Sequence, residues 1–265
     1  MSEALDHREN FLDSALLATR LLTARRERRT MDGAGAGPQL TLGEAYRVQE
    51  ELAALHVSAG RRIAGYKLGY TSLAMRRQMG VDAPNFGPLY ADMIVDSGST
   101  VRGFMQPRLE PEVAVIIGRD ISGTGLLLHE VAGAVAEVRT CLEIVDSVWR
   151  DYRFSVEQNT ADGSSAAGVV LGPELDVGPL ECHRVCVRLV VDGQTAATAT
   201  GAAASGHPLL GLTWLCDQLA DRGLGLHAGQ LVITGGLTAA VPLADGARVE
   251  AIYDRGAAVA VRRAE

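Results

Sequence analysis

The sequence predicts an α+β protein, with a helical N-terminal segment over residues 1–60 and a β-rich body over 61–265 that act as one functional unit. Three observations carry this. Leucines recur at helical spacing through the first sixty residues. After residue 60 the apolar residues come mostly in short, strand-length runs. The 30 glycines of the 265-residue chain supply the turns and bulges that a sheet-rich body needs.

The elements follow in order. Residues 8–29 read as an amphipathic helix, with Leu12, Leu16, Leu17 and Leu21 on its stripe, and the glycine-rich stretch Met31 to Pro38 breaks it. Thr41 followed by Glu44 is a capping box for a second helix, which carries Ala45, Val48, Leu52 and Leu55 on one face and stops at Gly60. Ile63 to Tyr70 reads as a short strand, Leu73 to Met79 as a helix, and Asp82 to Gly87 as a loop. Gln106 to Ile117 is a strand. Leu126 to Arg139 has Val131, Ala134, Val135 and Val138 at helical spacing and reads as a helix, followed by a strand at Cys141–Val145. Residues 184–191 and 230–234 are further strands, and Pro208–Leu219 is a helix entered at His207. Arg248 to Arg262 alternates as two strands around Asp254-Arg255-Gly256.

Composition narrows the function. Hydrophobic residues at 47% allow a large core, and 22% charge argues against disorder. A net charge of −7 speaks against nucleic acid as a partner. The run Arg25, Arg26, Arg28, Arg29 reads as a solvated helix end. No apolar run reaches membrane-span length, and Met1 to Asn10 is polar, without the pattern of a secretory signal. Cys141, Cys182, Cys186 and Cys216 form no CxxC pair. They read as buried free thiols, which suits a reducing cytoplasm. No P-loop, GxGxxG or G-x-S-x-G motif occurs.

Glu110-Pro111-Glu112 is the most informative stretch. In a strand, residues two apart share a face, so Glu110 and Glu112 lie beside Ala114 and Ile116. Two carboxylates that close, partly out of water, resist joint ionisation unless a cation lies between them. Their hard oxygens suit Mg²⁺ or Mn²⁺ better than Zn²⁺. The alternative is a solvated strand end. Glu143, inside the apolar run Cys141 to Asp146, either completes a three-carboxylate set or pairs with an arginine such as Arg139. Lys67 is the chain's only lysine and sits between Gly65 and Gly69. A desolvated lysine has a lowered pKa and serves acid–base chemistry or holds an anion, whereas a strand-end lysine would simply face solvent. Thr160-Ala161-Asp162-Gly163-Ser164-Ser165 reads as a polar loop that either lines a pocket or forms an ordinary turn.

Four motifs together resemble the 2-keto-4-pentenoate hydratase and 4-oxalocrotonate decarboxylase family of the fumarylacetoacetate hydrolase superfamily. They are Gly65-Tyr66-Lys67-Leu68-Gly69-Tyr70-Thr71-Ser72, Gln106-Pro107-Arg108-Leu109-Glu110-Pro111-Glu112, Leu142-Glu143-Ile144-Val145-Asp146-Ser147 and Thr160-Ala161-Asp162. The resemblance runs from about residue 41 to the end. It implies a mixed β-roll with flanking helices, homo-oligomers and a partner enzyme of the same pathway. Glu110, Glu112 and Glu143 match the metal carboxylates, serving Mg²⁺ or Mn²⁺, and Lys67 matches the active-site lysine. Thr71, Ser72, Asp162 and Ser165 fall at substrate-binding positions, with Asp162 on the pocket loop.

The implied substrate is a short 2-oxo acid. Decarboxylation of 2-oxohex-3-enedioate and hydration of 2-hydroxypenta-2,4-dienoate share one dienolate, so the metal motif does not separate them. Val81 to Gly87 and Gln106-Pro107-Arg108 resemble hydratases; Gln78 to Val81 and Thr234 to Ala240 resemble decarboxylases. Hydratases of the family commonly carry an aspartate where this chain has Asn85, and an amide does not shuttle protons. Asp82 either substitutes as an acid–base group or caps a turn. The balance favours a decarboxylase, with a hydratase as the alternative. A C–C hydrolase using a His–Glu pair loses support because no histidine lies between His56 and His129. A non-catalytic partner subunit is the remaining reading.

Overall fold

A computed structural model describes residues 13–265. Helix α1 spans Ser14–Arg26 and α2 Leu42–Ser58. The body then runs β1 (Ile63–Gly69), α3 (Leu73–Met79), β2 (Asn85–Tyr90), β3 (Ile94–Asp96), β4 (Thr100–Val101) and β5 (Arg108–Ile117). It continues with α4 (Leu128–Ala132), β6 (Val135–Val145), α5 (Val156–Ala161), β7 (Ala166–Glu174), β8 (Cys186–Val191) and β9 (Gln194–Thr200). The last elements are α6 (Pro208–Ala220), β10 (Leu231–Ile233), β11 (Val241–Pro242), β12 (Arg248–Tyr253) and β13 (Ala258–Arg263).

Two mixed sheets form the body. The larger runs β2-β1-β10-β5-β6-β7-β3, with β11 also paired to β5; the smaller runs β4-β13-β12-β8-β9. The larger sheet curls until β2 touches β7. Its inner face gathers Leu89, Ala114, Cys141, Val169, Leu231 and Ile233. Its outer face, with Leu68, Val113, Val115 and Leu142, packs with the second sheet and with Leu209, Leu212 and Leu215 of α6 in the main core. Period-2 alternation along each strand sorts the residues between these faces. The result is a mixed β-roll with flanking helices.

The N-terminal helices build a separate apolar cluster. Asp13 caps α1 by accepting from Leu16 N at 3.0 Å. The buried face is Leu17, Ala18, Leu21, Leu22 and Ala24, while Leu16 is exposed, so the stripe is rotated from the one expected. Residues 8–12 of the expected helix, including Leu12, lie outside the described residues, as does Met1 to Asn10. The Thr41–Glu44 capping box forms in both directions. Ala45, Val48 and Leu52 of α2 close on α1, Val148, Trp149 and Ala161.

Several expectations are corrected. The helix over Leu126–Arg139 is only α4; Gly133 ends it, and Val135 to Arg139 belongs to β6. Val131, Ala134, Val135 and Val138 fit helical spacing, but pairing of Val138 with Val115 across β5–β6 prevails. Asn85 to Gly87 starts β2 rather than closing a loop, because β1 offers a pairing edge at Gly69, Leu68 and Lys67. Thr160 and Ala161 end α5, so the polar loop is shorter than expected. Cys186 is exposed, whereas the other three thiols are buried. Among the described residues no helix is long and apolar enough to cross a membrane.

Pro111 sits in mid-strand, where a missing N–H normally breaks a ladder. Strand β10 pairs with residues 114–116 of β5 and β11 with 108–109. Pro111 falls in the gap between them, on the side where its carbonyl receives Leu237 N at 2.9 Å. Its absent donor therefore leaves no strand partner unpaired. The loop filling that gap, residues 234–240, reaches the site described next.

Candidate active site

Glu110 lies directly opposite Glu143 across β5–β6, and Glu112 is opposite Cys141. All three glutamates point into the roll, and one oxygen from each lies within 4.8 Å of the others. Cross-strand neighbours on one face are separated by about 5 Å, so register alone creates the cluster. The Tyr253 hydroxyl, 2.6 Å from the Glu112 carbonyl and 3.1 Å from that of Cys141, ties the two strands together there.

Lys67 arrives from β1. Its Nζ is 3.1 Å from Glu143 Oε1 and donates to the Ser164 carbonyl at 2.9 Å and to Ser164 Oγ at 3.3 Å. The Glu143 contact is a buried ion pair. The solvated-lysine alternative is thereby excluded, since Lys67 is 4% exposed. Arg139 turns away to Glu137 and the Gly172 carbonyl, so Glu143 pairs with Lys67 instead.

Burial pushes all three glutamates above the ordinary carboxylate range. Glu110 rises to about 7 through burial and then the Glu143 charge, with Lys67 and Arg108 opposing. Glu112 is raised well above its ordinary value by burial, Glu143 and Glu110, and burial also raises Glu143. For Lys67, burial acts to lower the pKa, but Glu143, Glu110 and Glu112 outweigh it and the net shift is upward. The lowered lysine pKa anticipated from desolvation is therefore corrected by the three surrounding carboxylates.

The cluster fits a hard divalent cation. Glu112 Oε1 and Glu143 Oε2 are buried without a hydrogen-bond donor, and Glu143 Oε1 faces only the Lys67 ammonium. Buried carboxylate oxygens left so are costly unless a cation takes them. Three carboxylates against one ammonium leave two negative charges in excess, the charge that a divalent ion balances. Within the cluster, Glu112 Oε2 accepts from a backbone donor, Gly235 N, at 2.7 Å. Gly235 has φ +105°, and a side chain there would collide with Thr71 Oγ1. Glycine is what lets this loop approach.

Beyond Lys67 a chain of neutral hydrogen bonds extends. Ser164 Oγ donates to Asn85 Oδ1 at 2.9 Å. Asn85 Nδ2 donates to Thr160 Oγ1 at 3.0 Å and Asn159 Oδ1 at 3.3 Å, and Tyr70 donates its hydroxyl to the same Asn159 oxygen at 2.8 Å. A Cβ on Gly69 would strike Asn85 Oδ1 and Ser164 Oγ, so the strand must be bare there.

Not every candidate joins the cluster. Thr71 is buried against Gly235. Ser72 caps α3 by accepting from Met75 N at 3.1 Å. Asp82 is exposed on the turn before β2, and its carbonyl accepts from Arg76. Ser165 Oγ accepts from Asn159 Nδ2 at 2.8 Å. Asp162 is engaged by Arg25 Nη2 at 2.7 Å, so Arg25 is not the solvated residue its sequence neighbours suggested. Sequence reasoning missed Tyr70, Asn159, Ser164 as lysine acceptor, and the Gly235 donor. Tyr70 was legible only as part of a motif, and the others depend on contacts distant in sequence. A groove of about 550 Å³ lies over the second sheet, lined by Arg188, Thr198, Ile252 and Asp254, and it contains none of this cluster.

The fumarylacetoacetate (FAA) hydrolase C-terminal family matches residues 64–260. The chain is 31% identical over 222 residues to 2-hydroxyhexa-2,4-dienoate hydratase of Comamonas testosteroni, covering 82% of this chain and 84% of that one. It is 36% identical over 226 residues to a 4-oxalocrotonate decarboxylase of a Pseudomonas species, covering 81% and 86%. The solved 4-oxalocrotonate decarboxylase of Pseudomonas putida G7, complexed with magnesium and adipate, superposes with TM-score 0.90 at 30% identity, covering 94% of this chain and 97% of that one.

Proposed function

The chain belongs to the fumarylacetoacetate hydrolase family, and from that premise we propose that it is a divalent-metal-dependent lyase that decarboxylates 2-oxohex-3-enedioate, the 4-oxalocrotonate type of substrate. The observation that carries this is Lys67, held between Glu143 and the Ser164 turn, within a three-glutamate cluster in which Glu112 Oε1 and Glu143 Oε2 have no donor. Glu110, Glu112 and Glu143 would hold Mg²⁺ or Mn²⁺, and magnesium is the ion bound in the solved decarboxylase. Such a cation draws electron density from a 2-oxo group and favours its enolate form.

The chain's own residues do the rest. Lys67 Nζ holds a proton beside the developing negative charge, oriented by the Ser164 carbonyl. Loss of the distal carboxylate breaks one carbon–carbon bond, and its electron pair enters the conjugated dienolate. Carbon dioxide leaves, and one proton completes 2-hydroxypenta-2,4-dienoate. This step adds no water and needs no second acid–base group.

Hydration does need one, to protonate carbon and direct water to C4. Asn85 occupies that place as an amide, with its oxygen taken by Ser164 and its nitrogen by Thr160 and Asn159. Its neutral hydrogen-bonding favours decarboxylation. The hydratase alternative draws on the 31% identity to the Comamonas hydratase. Thr71, Ser72 and Ser165 are proposed to contact the substrate, while Asp82, exposed on the turn before β2, takes no step in this reaction. The proposal includes a homo-oligomer that also admits the partner enzyme of its pathway, and a cytoplasmic setting suited to four free thiols.

The test is a pair of incubations with Mg²⁺, one with 2-oxohex-3-enedioate and one with 2-hydroxypenta-2,4-dienoate. Carbon dioxide release from the first with slow hydration of the second supports the reading. Fast hydration without carbon dioxide release replaces it with the hydratase.

A further inference from the structure

The turn that receives Lys67 is strained. Gly163, Ser164 and Ser165 follow one another at φ 73°, 58° and 56°, in the left-handed region. Non-glycine residues rarely adopt that region and persist there only where their surroundings fix them. Ser164 nonetheless supplies two acceptors to Lys67, its carbonyl and its Oγ.

Arg25 holds both ends of this turn from helix α1. Its Nε and Nη2 donate to Asp162 Oδ1 at 3.0 and 2.7 Å, and Nη2 also donates to the Asp162 carbonyl at 3.2 Å. Nη1 donates to the Asp146 carbonyl at 3.1 Å. Asp146 N in turn donates to the carbonyl of Ser165, the last residue of the turn, at 3.0 Å. One guanidinium thus links the residue before the turn to the strand end that holds its last member. Asp162 Oδ2 accepts from Val148 N at 3.3 Å, so both carboxylate oxygens are engaged. The fork geometry of arginine suits this task, and lysine cannot reproduce it.

We propose that Arg25 is a positioning residue for Lys67, acting through Asp162 and the Ser164 turn, and that Asp162 serves the site by this route. Arg25 lies outside the matched segment 64–260, so the N-terminal helices are a working part of the active site. The inference rests on the role assigned to Lys67 under the proposed function.

Because Lys67 is the only lysine, protein labelled with [ε-¹³C]lysine gives one side-chain signal. The experiment compares Mg²⁺-loaded wild type, Arg25→Ala, Arg25→Gln and Leu22→Ala. Leu22 packs α1 in the same helical cluster, and the substitution controls for general destabilisation. Arg25→Ala shifts and broadens the lysine signal and speeds reductive methylation of its amine. Arg25→Gln, which keeps an amide donor and adds no second lysine, gives an intermediate effect, and added guanidinium partly restores the Arg25→Ala signal. Turnover of the 2-oxo acid falls about 10- to 100-fold in kcat with KM little changed. Leu22→Ala lowers Tm but leaves the lysine signal in place. An unmoved signal in Arg25→Ala, or an equal shift in Leu22→Ala, overturns the proposal. The lysine signal needs no substrate, so absence of lyase activity in wild type would sink the functional reading alone.

Discussion

Lys67 Nζ meets Glu143 Oε1 at 3.1 Å although their strands, β1 and β6, are separated by β10 and β5. Three strand steps span about 14 Å in a flat sheet. The contact therefore depends on the curl of the roll, which turns the inner faces of distant strands toward each other. The ion pair and the carboxylate cluster are products of the same curvature.

Removing the ammonium leaves three glutamates without an internal cation. Lys67→Met keeps the volume but is expected to abolish turnover and to destabilise the metal-free protein by on the order of 3 kcal/mol. Chemical denaturation with chelator measures the loss, and Mg²⁺ should raise the midpoint more in the variant than in wild type. An unchanged metal-free midpoint would contradict the assigned pairing.

The raised glutamate pKa values set a direction for pH. Glu110 titrates at about 7 in the folded protein, above its ordinary value of 4.5, and Glu112 and Glu143 are shifted the same way. Groups raised in this way favour folding at acidic pH below their unfolded values, and that contribution is lost as pH rises through the folded pKa. Metal-free protein should therefore lose stability between about pH 5 and about pH 8, and the Mg²⁺-induced gain in Tm should be larger at the upper end. Thermal melts with chelator and with Mg²⁺ across that range check the sign.

Asn85→Asp tests the choice of reaction. The new carboxyl would lie beside Ser164 Oγ and Thr160 Oγ1 and could exchange a proton. Hydration of 2-hydroxypenta-2,4-dienoate is expected to rise by tenfold or more, on the order of a general-acid contribution. A variant that still fails to hydrate would remove Asn85 as the determinant.

Gly69→Ala probes the packing around Lys67. A Cβ there meets Asn85 and Ser164, so the hydrogen-bond chain must shift. Activity is expected to fall further than stability, which overpacking lowers by about 1–3 kcal/mol. Equal turnover per folded molecule would contradict this.

Much of the site was legible because its signals were local. Period-2 spacing put Glu110 and Glu112 on one face, and a single lysine between glycines singled out Lys67. The Thr41 capping box and the hairpin around Asp254-Arg255-Gly256 are likewise short-range features. What was hidden depends on distant contacts. Arg25 resembles its solvated neighbours in sequence, yet its partner lies 137 residues away. Val135 and Val138 satisfy helical and strand patterns alike, and only β5 decides between them. The Ser164 turn gives no sequence warning, because serine rarely adopts a left-handed backbone.

The central claim is that a metal held by Glu110, Glu112 and Glu143 makes this chain a 2-oxo acid lyase. The most direct measurement is the initial rate of carbon dioxide release from 2-oxohex-3-enedioate by chelated protein, before and after Mg²⁺ is restored, in wild type and Glu112→Gln. The account predicts that chelation lowers the rate about 100-fold or more, with Mg²⁺ restoring wild type but not the variant. Undiminished release by the chelated wild type, or full activity in Glu112→Gln, would contradict it.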